Sequence, residues 1–262
     1  MDFIKMHGLG NDFIIIDQYA RRTVEDPSTL ANKLCPRGFS VGADGLVSVL
    51  PSEIADARMR IFNPDGSEPE MCGNAIRCVA RFLYESGHLP RTQMTIETLA
   101  GIMEITIRLE NGRFVATSVD MGAPVITGEC NIPIDSLPAR FTCVSTGNPH
   151  AVTWDIWPDD ETFRTHGPLV ERHPNFPAGT KVEFVRIDSP AHASVRVWER
   201  GAGPTLACGT GATATFFSLV REGLIEKHAV ISLPGGDLEF DYLDNGHAVM
   251  TGPAQLSYKG SI

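Results

Sequence analysis

No lysine-rich run interrupts this acidic chain, in which 22 Lys and Arg face 32 Asp and Glu for a formal net charge of -10. That balance argues against nucleic acid and anionic membrane as partners. There is no apolar run near the ~18 residues that a membrane-spanning helix needs. Residues 1–16 contain Asp2, Lys5, His7 and Asp12, which break any signal-peptide core, so a cytoplasmic protein is expected. The six cysteines (Cys35, Cys72, Cys78, Cys130, Cys143 and Cys208) include no C-x-x-C pair. This disfavours a zinc knuckle or thioredoxin-type motif; no metal is expected, and free thiols suit a reducing compartment. A P-loop, a dinucleotide-binding G-x-G-x-x-G and H-E-x-x-H are missing too. Gly201-Ala202-Gly203 opens no strand–helix phosphate loop, and none of the few lysines has a context suggesting pyridoxal phosphate. No cofactor is expected.

What is present is ordinary in bulk. With 42% hydrophobic and 21% charged residues, the chain can form one large or two modest soluble domains without covalent staples. The informative feature is a long internal repeat. Gly10-Asn11 matches Gly147-Asn148 at an offset of 137, and Cys72-Gly73 matches Cys208-Gly209 at 136. Gly87 matches Gly223 at 136, and Ala100-Gly101-Ile102-Met103-Glu104-Ile105 resembles Gly235-Gly236-Asp237-Leu238-Glu239-Phe240 at 135. Matches in one order at a nearly constant offset imply two copies of one domain, and the period is far too long for a solenoid.

Both copies share an outline. Alternating β-branched stretches come first (3–17, 47–50 and 59–62; then 141–144, 151–154 and 182–187). A Cys-Gly turn then opens a helix, and further strands follow at 94–98, 102–109 and 113–119, then 229–233, 238–242 and 247–251. In the first helix Ile76, Val79, Ala80 and Leu83 make one apolar face; in the second Ala212, Phe216, Leu219 and Val220 do. Asn74 and Thr210 are expected N-caps, and Gly87 and Gly223 suit the position after the last turn. The second helix is apolar nearly all round, as a helix enclosed by strands should be. The expected fold is therefore α/β (α+β), with two pseudo-symmetric domains, each a mainly antiparallel sheet wrapped around a central helix. Their expected bounds are 1–120, carrying Cys72, and 121–252, carrying Cys208, with the tail 253–262 returning to the first.

A cysteine at a helix start sits among unpaired N–H groups and about half a positive charge, a setting that binds carboxylates and lowers a thiol pKa. If the two units face each other, two thiols and two helix ends converge on one amino acid. One thiolate then removes the α-proton while the opposite thiol protonates the other face, and the carbon inverts. Charge developing on the carboxylate meets donors already in place.

At these motifs the chain resembles the diaminopimelate epimerase family. The matching stretches are Met6-His7-Gly8-Leu9-Gly10-Asn11-Asp12-Phe13, Gly42-Ala43-Asp44-Gly45, Phe62-Asn63-Pro64-Asp65-Gly66-Ser67-Glu68, Met71-Cys72-Gly73-Asn74, Gly147-Asn148-Pro149-His150, Glu199-Arg200-Gly201-Ala202-Gly203 and Ala207-Cys208-Gly209-Thr210-Gly211. The resemblance implies a pyridoxal-independent homodimer that converts L,L- to meso-diaminopimelate for lysine and cell-wall synthesis. It implies that Cys72 serves the L-configured centre and Cys208 the D-configured one. Gly73, Asn74, Gly209 and Thr210 would hold the reacting carboxylate. Asn11, Asn63, Asn148, Glu199 and Arg200 would hold the distal amino-acid group, and His150 and Glu199 would help tune the thiols. Departures are Lys181 where the family usually has an asparagine on the distal carboxylate, Pro204 for a glutamate, Ala75 for a glycine and Thr213 for a small residue or cysteine.

Plainer readings stand beside these. Cys72 and Cys208 could be buried structural thiols, Asn11 and Asn148 turn residues, and Glu199-Arg200 a solvated pair. His7, Asp44, Asp65 and Cys78 read as structural. A racemase for another amino acid such as histidine, a non-catalytic amino-acid-binding module and a redox-sensing dithiol are the rival functions.

Overall fold

A computed structural model describes residues 1–20, 24–135 and 137–262. It divides into two compact units, Met1–Val119 with Gly252–Ile262, and Asp120–Thr251.

The first unit holds strands β1 (Asp2–Gly8), β2 (Asn11–Asp17), β3 (Gly45–Leu50), β4 (Ala57–Phe62), β5 (Gln93–Thr98), β6 (Gly101–Glu110) and β7 (Arg113–Asp120) and helices α1 (Pro27–Leu34) and α2 (Gly73–Glu85). The second holds β8 (Val125–Ile134), β9 (Leu137–Ser145), β10 (Pro149–Thr153), β11 (Lys181–Ser189), β12 (His192–Glu199), β13 (Gly203–Thr205), β14 (His228–Leu233), β15 (Gly236–Tyr242) and β16 (Ala248–Gly252), with helices α3 (Asp160–Glu171) and α4 (Gly209–Arg221). The last strand, β17 (Gln255–Ser261), pairs antiparallel with β1, so the tail completes the first unit.

Hydrogen bonding orders the first sheet β17-β1-β2-β3-β4-β5-β6-β7, with β2–β3 and β4–β5 parallel and the other neighbours antiparallel. The second runs β8-β9-β10-β11-β12-β14-β15-β16, with β10–β11 and β12–β14 parallel and the rest antiparallel. Apart from the short β13, which pairs antiparallel with β12, the two sequences of pairings coincide strand for strand. A parallel pair needs a crossover, and each of the four parallel pairs is bridged by one of the four helices. The tail strand β17 occupies in its sheet the place that β8 occupies in the other.

Among the described residues each unit has the expected inner helix, α2 or α4, and a second helix, α1 or α3, that the periodicity does not indicate. Helix α2 packs against β1, β2, β4 and β6, and α4 against β9, β10, β11, β12, β14 and β15. Helices α1 and α3 cover other faces and build cores of their own. Ala31, Leu34 and Cys35 pack with Ile14, Ile16, Leu46 and Phe62, and Phe163 and Val170 pack with Phe141, Ala151, Val182 and Phe184. Burying one such Phe, Leu or Ile contributes roughly 1.5–3 kcal/mol. Both outer helices start on aspartate: Asp26 accepts from the Thr29 N–H with Pro27 at the first position, and Asp159 accepts from the Thr162 N–H.

The N-caps of the inner helices correct the sequence expectation. Asn74 and Thr210 lie inside the first turns; the extended residues that cap α2 and α4 are Cys72 (φ -140°) and Cys208 (φ -132°). The C-terminal expectation agrees, with Gly87 (φ 79°) and Gly223 (φ 70°) in the left-handed region just past each helix. The long stretch 3–17 is two strands, folded back at Leu9 (φ 56°) and Gly10 (φ 85°). Among the described residues no helix is long and apolar enough to cross a membrane.

Candidate active site

Both cysteines singled out by the repeat occupy the same structural station, the residue that leads from an extended segment into an inner helix. There the first N–H groups of the helix have no partner within it, and the aligned peptide dipoles concentrate positive potential.

In the first unit, Cys72 is partly exposed. Its Sγ lies 3.8 Å from Asn11 Oδ1, which also accepts from Asn74 Nδ2 at 3.1 Å. Three of the expected residues thus meet in one cluster. Beneath them lies Arg77, with no exposed surface. It donates to Gly73 O at 3.1 Å, Asn74 Oδ1 at 3.0 Å and, from Nε, Pro253 O at 3.1 Å. Burial pulls the Arg77 guanidinium down to about 10, still charged at neutral pH, while Cys78 and Cys72 pull the other way. Gly8 makes this packing possible: a Cβ there would stand 2.8 Å from an Arg77 nitrogen and 3.1 Å from the Asn74 carbonyl oxygen. Asn63 is placed otherwise. Its side chain donates to Ser67 Oγ at 2.9 Å, within the turn that Asp65 and Gly66 shape.

Asn11 is itself held, donating to Asp44 Oδ2 at 2.9 Å. Arg37 bridges Asp44 (2.7 Å) and Asp12, and Lys5 reaches Asp12 at 2.6 Å. Burial pushes the Asp12 carboxyl up, but Arg37, Lys5 and Asp44 together bring it down to about 2 from 3.8. A carboxyl depressed in the folded state contributes stability above its unfolded pKa and loses it as pH falls through the folded one. Protection of the β2 amides from hydrogen exchange is therefore expected to fall as pH drops from about 4 toward 2. Asp12→Asn should flatten that segment of the profile. Protection falling equally steeply in the variant would contradict the assignment.

In the second unit, Cys208 is 4% exposed. Its Sγ accepts from the Gly211 N–H at 3.4 Å and lies 3.5 Å from both Thr210 Oγ1 and Lys181 Nζ. Lys181 is also ion-paired with Glu199 at 2.7 Å. Burial pushes the Cys208 thiol up to about 12; Glu199 and Glu183 add to the rise, and Lys181 and Thr210 oppose it. A thiol so placed holds its proton at neutral pH.

His150 and Asn148 belong to a neighbouring chain of contacts. His150 Nε2 lies 2.7 Å from Asn148 Oδ1, and Nδ1 lies 2.7 Å from Glu183 Oε1, with both His150 and Glu183 side chains fully buried. Glu183 backs onto the start of α4, where a Cβ on Gly211 would meet Oε1 at 2.7 Å and Cys208 Sγ at 3.3 Å. Glycine at 211 is thus what lets helix, thiol and carboxylate close up. Arg200 is exposed and turned elsewhere, donating to Ala178 O at 3.0 Å. No Glu199–Arg200 ion pair occurs among the described residues; Glu199 takes Lys181 instead.

Sequence reasoning missed two members of these clusters. Arg77 could have been noticed as a cation set between Ile76 and Cys78 in the early turns of a helix with an apolar face. Glu183 stands between Val182 and Phe184, in the buried first half of β11. Among the described residues no group of three or more His, Cys, Asp or Glu is placed to hold a metal ion.

Comparison with known proteins gives concordant likenesses. The family model described as Diaminopimelate epimerase matches residues 3–127 and 142–257. The diaminopimelate epimerase of Desulforudis audaxviator is 48% identical over 275 aligned positions, covering 99% of this chain and 98% of that one. That of Desulfitobacterium hafniense is 45% identical over 277, covering 100% and 98%. Among solved structures, a PhzF-family phenazine biosynthesis protein from Bacillus anthracis superposes with a TM-score of 0.78 at 18% identity, covering 100% of this chain and 98% of that one. A hydroxyproline epimerase from Agrobacterium vitis gives 0.73 at 18%, covering 99% and 91%. At such identities these two speak for the fold alone.

Proposed function

The chain belongs to the diaminopimelate epimerase family, and from that premise we propose that Cys72 and Cys208 invert an α-carbon of diaminopimelate without a cofactor. It is an isomerase, and its reaction converts L,L- to meso-diaminopimelate on the way to lysine and peptidoglycan precursors. One observation carries the two-thiol reading: in two halves of the same topology, the inner helix starts on a cysteine.

The chemistry follows from that station. Removing an α-proton is difficult because negative charge must accumulate on the carboxylate. Gly73 and Asn74 at the start of α2, and Gly209 and Thr210 at the start of α4, present N–H groups to that charge. A single donor in a comparable oxyanion site is worth roughly 3–4 kcal/mol. Cys72 as thiolate takes the proton from the L-configured centre, and Cys208 as thiol supplies one to the other face. The C–H bond broken on one side is replaced by a C–H bond formed on the other, while a proton passes to one sulfur and leaves the other. Burial, which raises the Cys208 thiol, suits it to the proton donor's part in the forward direction.

By the family resemblance Asn11, Asn148, Lys181 and Glu199 hold the distal amino-acid group, and Asn63 and Arg200 join them on leaving the Ser67 and Ala178 contacts they make here. A carboxylate such as Glu199 suits its ammonium and a guanidinium such as Arg200 its carboxylate, with Lys181 beside Glu199. His150 acts behind them through Glu183. The two units are the two epimerase halves, and the family resemblance supports a cytoplasmic homodimer.

The test is incubation with L,L-diaminopimelate in deuterated water without pyridoxal phosphate. Meso product should accumulate carrying one solvent-derived α-deuterium per inversion. A panel of other L-amino acids, histidine included, run under the same conditions should stay unchanged. Turnover that depends on added pyridoxal phosphate, or a preference for another amino acid, would refute the reading.

A further inference from the structure

Once Cys208 has delivered its proton, the electron pair of the broken S–H bond stays on a sulfur that is 4% exposed. An unpaired anion in such a place is costly. Among the described residues the sulfur has three candidate partners. Two are neutral, the Gly211 N–H at 3.4 Å and the Thr210 hydroxyl at 3.5 Å. The third is the Lys181 ammonium, at 3.5 Å, held in place by Glu199 at 2.7 Å.

We infer that Lys181 is a positioning residue that supplies the counter-ion for the Cys208 thiolate, and that Glu199 sets how much of its charge the sulfur receives. The inference deepens the two-thiol reading and rests on it. The charged groups around the sulfur are Lys181 and Glu183 from β11 and Glu199 from β12, with His150 from β10 acting through Glu183. Burial pulls the Lys181 ammonium down, but Cys208 when ionised, Glu199 and Glu183 push it up and hold it above its ordinary value. It is therefore charged throughout the working range. With the sulfur protonated, the ion pair is Lys181–Glu199. When the sulfur is ionised, Lys181 stands between two anions. An ammonium arriving at Glu199 neutralises one of them and leaves the lysine to the thiolate. Occupation of the distal subsite is thereby transmitted to the thiol.

The two neighbours should move the thiol in opposite directions, which no general loosening of the fold would do. The measurement is the rate of Cys208 alkylation by iodoacetamide at pH 8.5, read by peptide mass spectrometry, which separates it from the other five cysteines. Lys181→Met should slow it at least about threefold, even though a raised pKa makes the remaining thiolate more nucleophilic. Glu199→Gln should speed it at least about threefold, Lys181→Arg should stay near wild type, and the double variant Lys181→Met/Glu199→Gln should lie between the singles. Both single variants shifting the same way, or neither shifting, would overturn the inference. Turnover of the unmodified protein is assayed alongside. Opposite shifts without any epimerisation would reject the enzymatic reading while upholding the ionic coupling; full epimerisation with unmoved alkylation would reject the coupling alone.

Discussion

Replacing either Cys72 or Cys208 with alanine is expected to lower kcat for inversion by about a thousandfold or more, in the upper part of the range for losing a general acid or base. Inversion needs one group to take a proton from a face of the α-carbon and another to give a proton to the opposite face. Removing either leaves one half of that exchange to water, which has neither the position nor the pKa. Because the two thiols act as a unit, the double variant should fall little further than either single one. The fold gives a clean control. Both side chains are small, both sit at helix starts where the cap residue stays extended, and alanine tolerates that backbone. The Cys72 side chain makes no capping bond, and losing the one from Cys208 to Gly211 N–H costs about 1 kcal/mol, so thermal unfolding should shift by only a few degrees. Steady-state inversion by circular dichroism or chiral chromatography, with melting curves alongside, checks both halves. A single-cysteine variant that inverts at the wild-type rate would end the two-base scheme.

Arg77→Met should be the most damaging substitution away from the thiols. Methionine nearly matches the length but carries no donor, so Gly73 O and Asn74 Oδ1 each lose a buried hydrogen bond and Pro253 O a partly buried one. Breaking such a buried network costs roughly 2–5 kcal/mol. For a chain of this size that corresponds to a melting temperature lower by about 5–15 °C. The loss is not only of stability. Arg77 ties the first turn of α2, which carries Gly73 and Asn74, to the tail at Pro253, and neighbouring Arg81 holds Ala254 O at 2.7 Å. With the turn released, the N–H groups facing the reacting carboxylate lose their aim, and kcat should fall with KM less affected. Arg77→Lys keeps the charge and one set of bonds, so it should recover part of both. A variant that melts low yet keeps wild-type kcat would show the guanidinium to be purely structural.

The inner helices were legible in the sequence because their signals are local. A 3.6-residue apolar period and a terminal glycine identify α2 and α4, and the repeat offset ties their starts to two cysteines. Helix α3 was not legible because Gly167-Pro168 reads as a break, yet the helix runs through it. There a Cβ on Gly167 would stand 2.5 Å from the Trp198 ring, so the glycine exists for packing rather than as a stop. Strand β8 was hidden by proline: Pro133 on β8 opposes Pro138 on β9, a pairing tolerated toward the end of a largely exposed strand. The local signals for α1 and α3, Asp26-Pro27 and Asp159, were present but belong to short or interrupted patterns.

The candidate site divides along the same line. Cys72, Cys208, Asn11, Asn74 and Thr210 could be read because helix starts and tight turns are built from neighbours in the chain. Which side chains meet them could not, since Arg77 reaches Pro253, His150 reaches Glu183, and Lys181 reaches both Glu199 and Cys208. By itself the chain's order of residues determined two copies of one domain, the helix periods and the place of each thiol. Tertiary structure alone decided the charge around those thiols, because desolvation and ion pairing depend on what folding brings within a few ångströms, and that partner is seldom the next residue along.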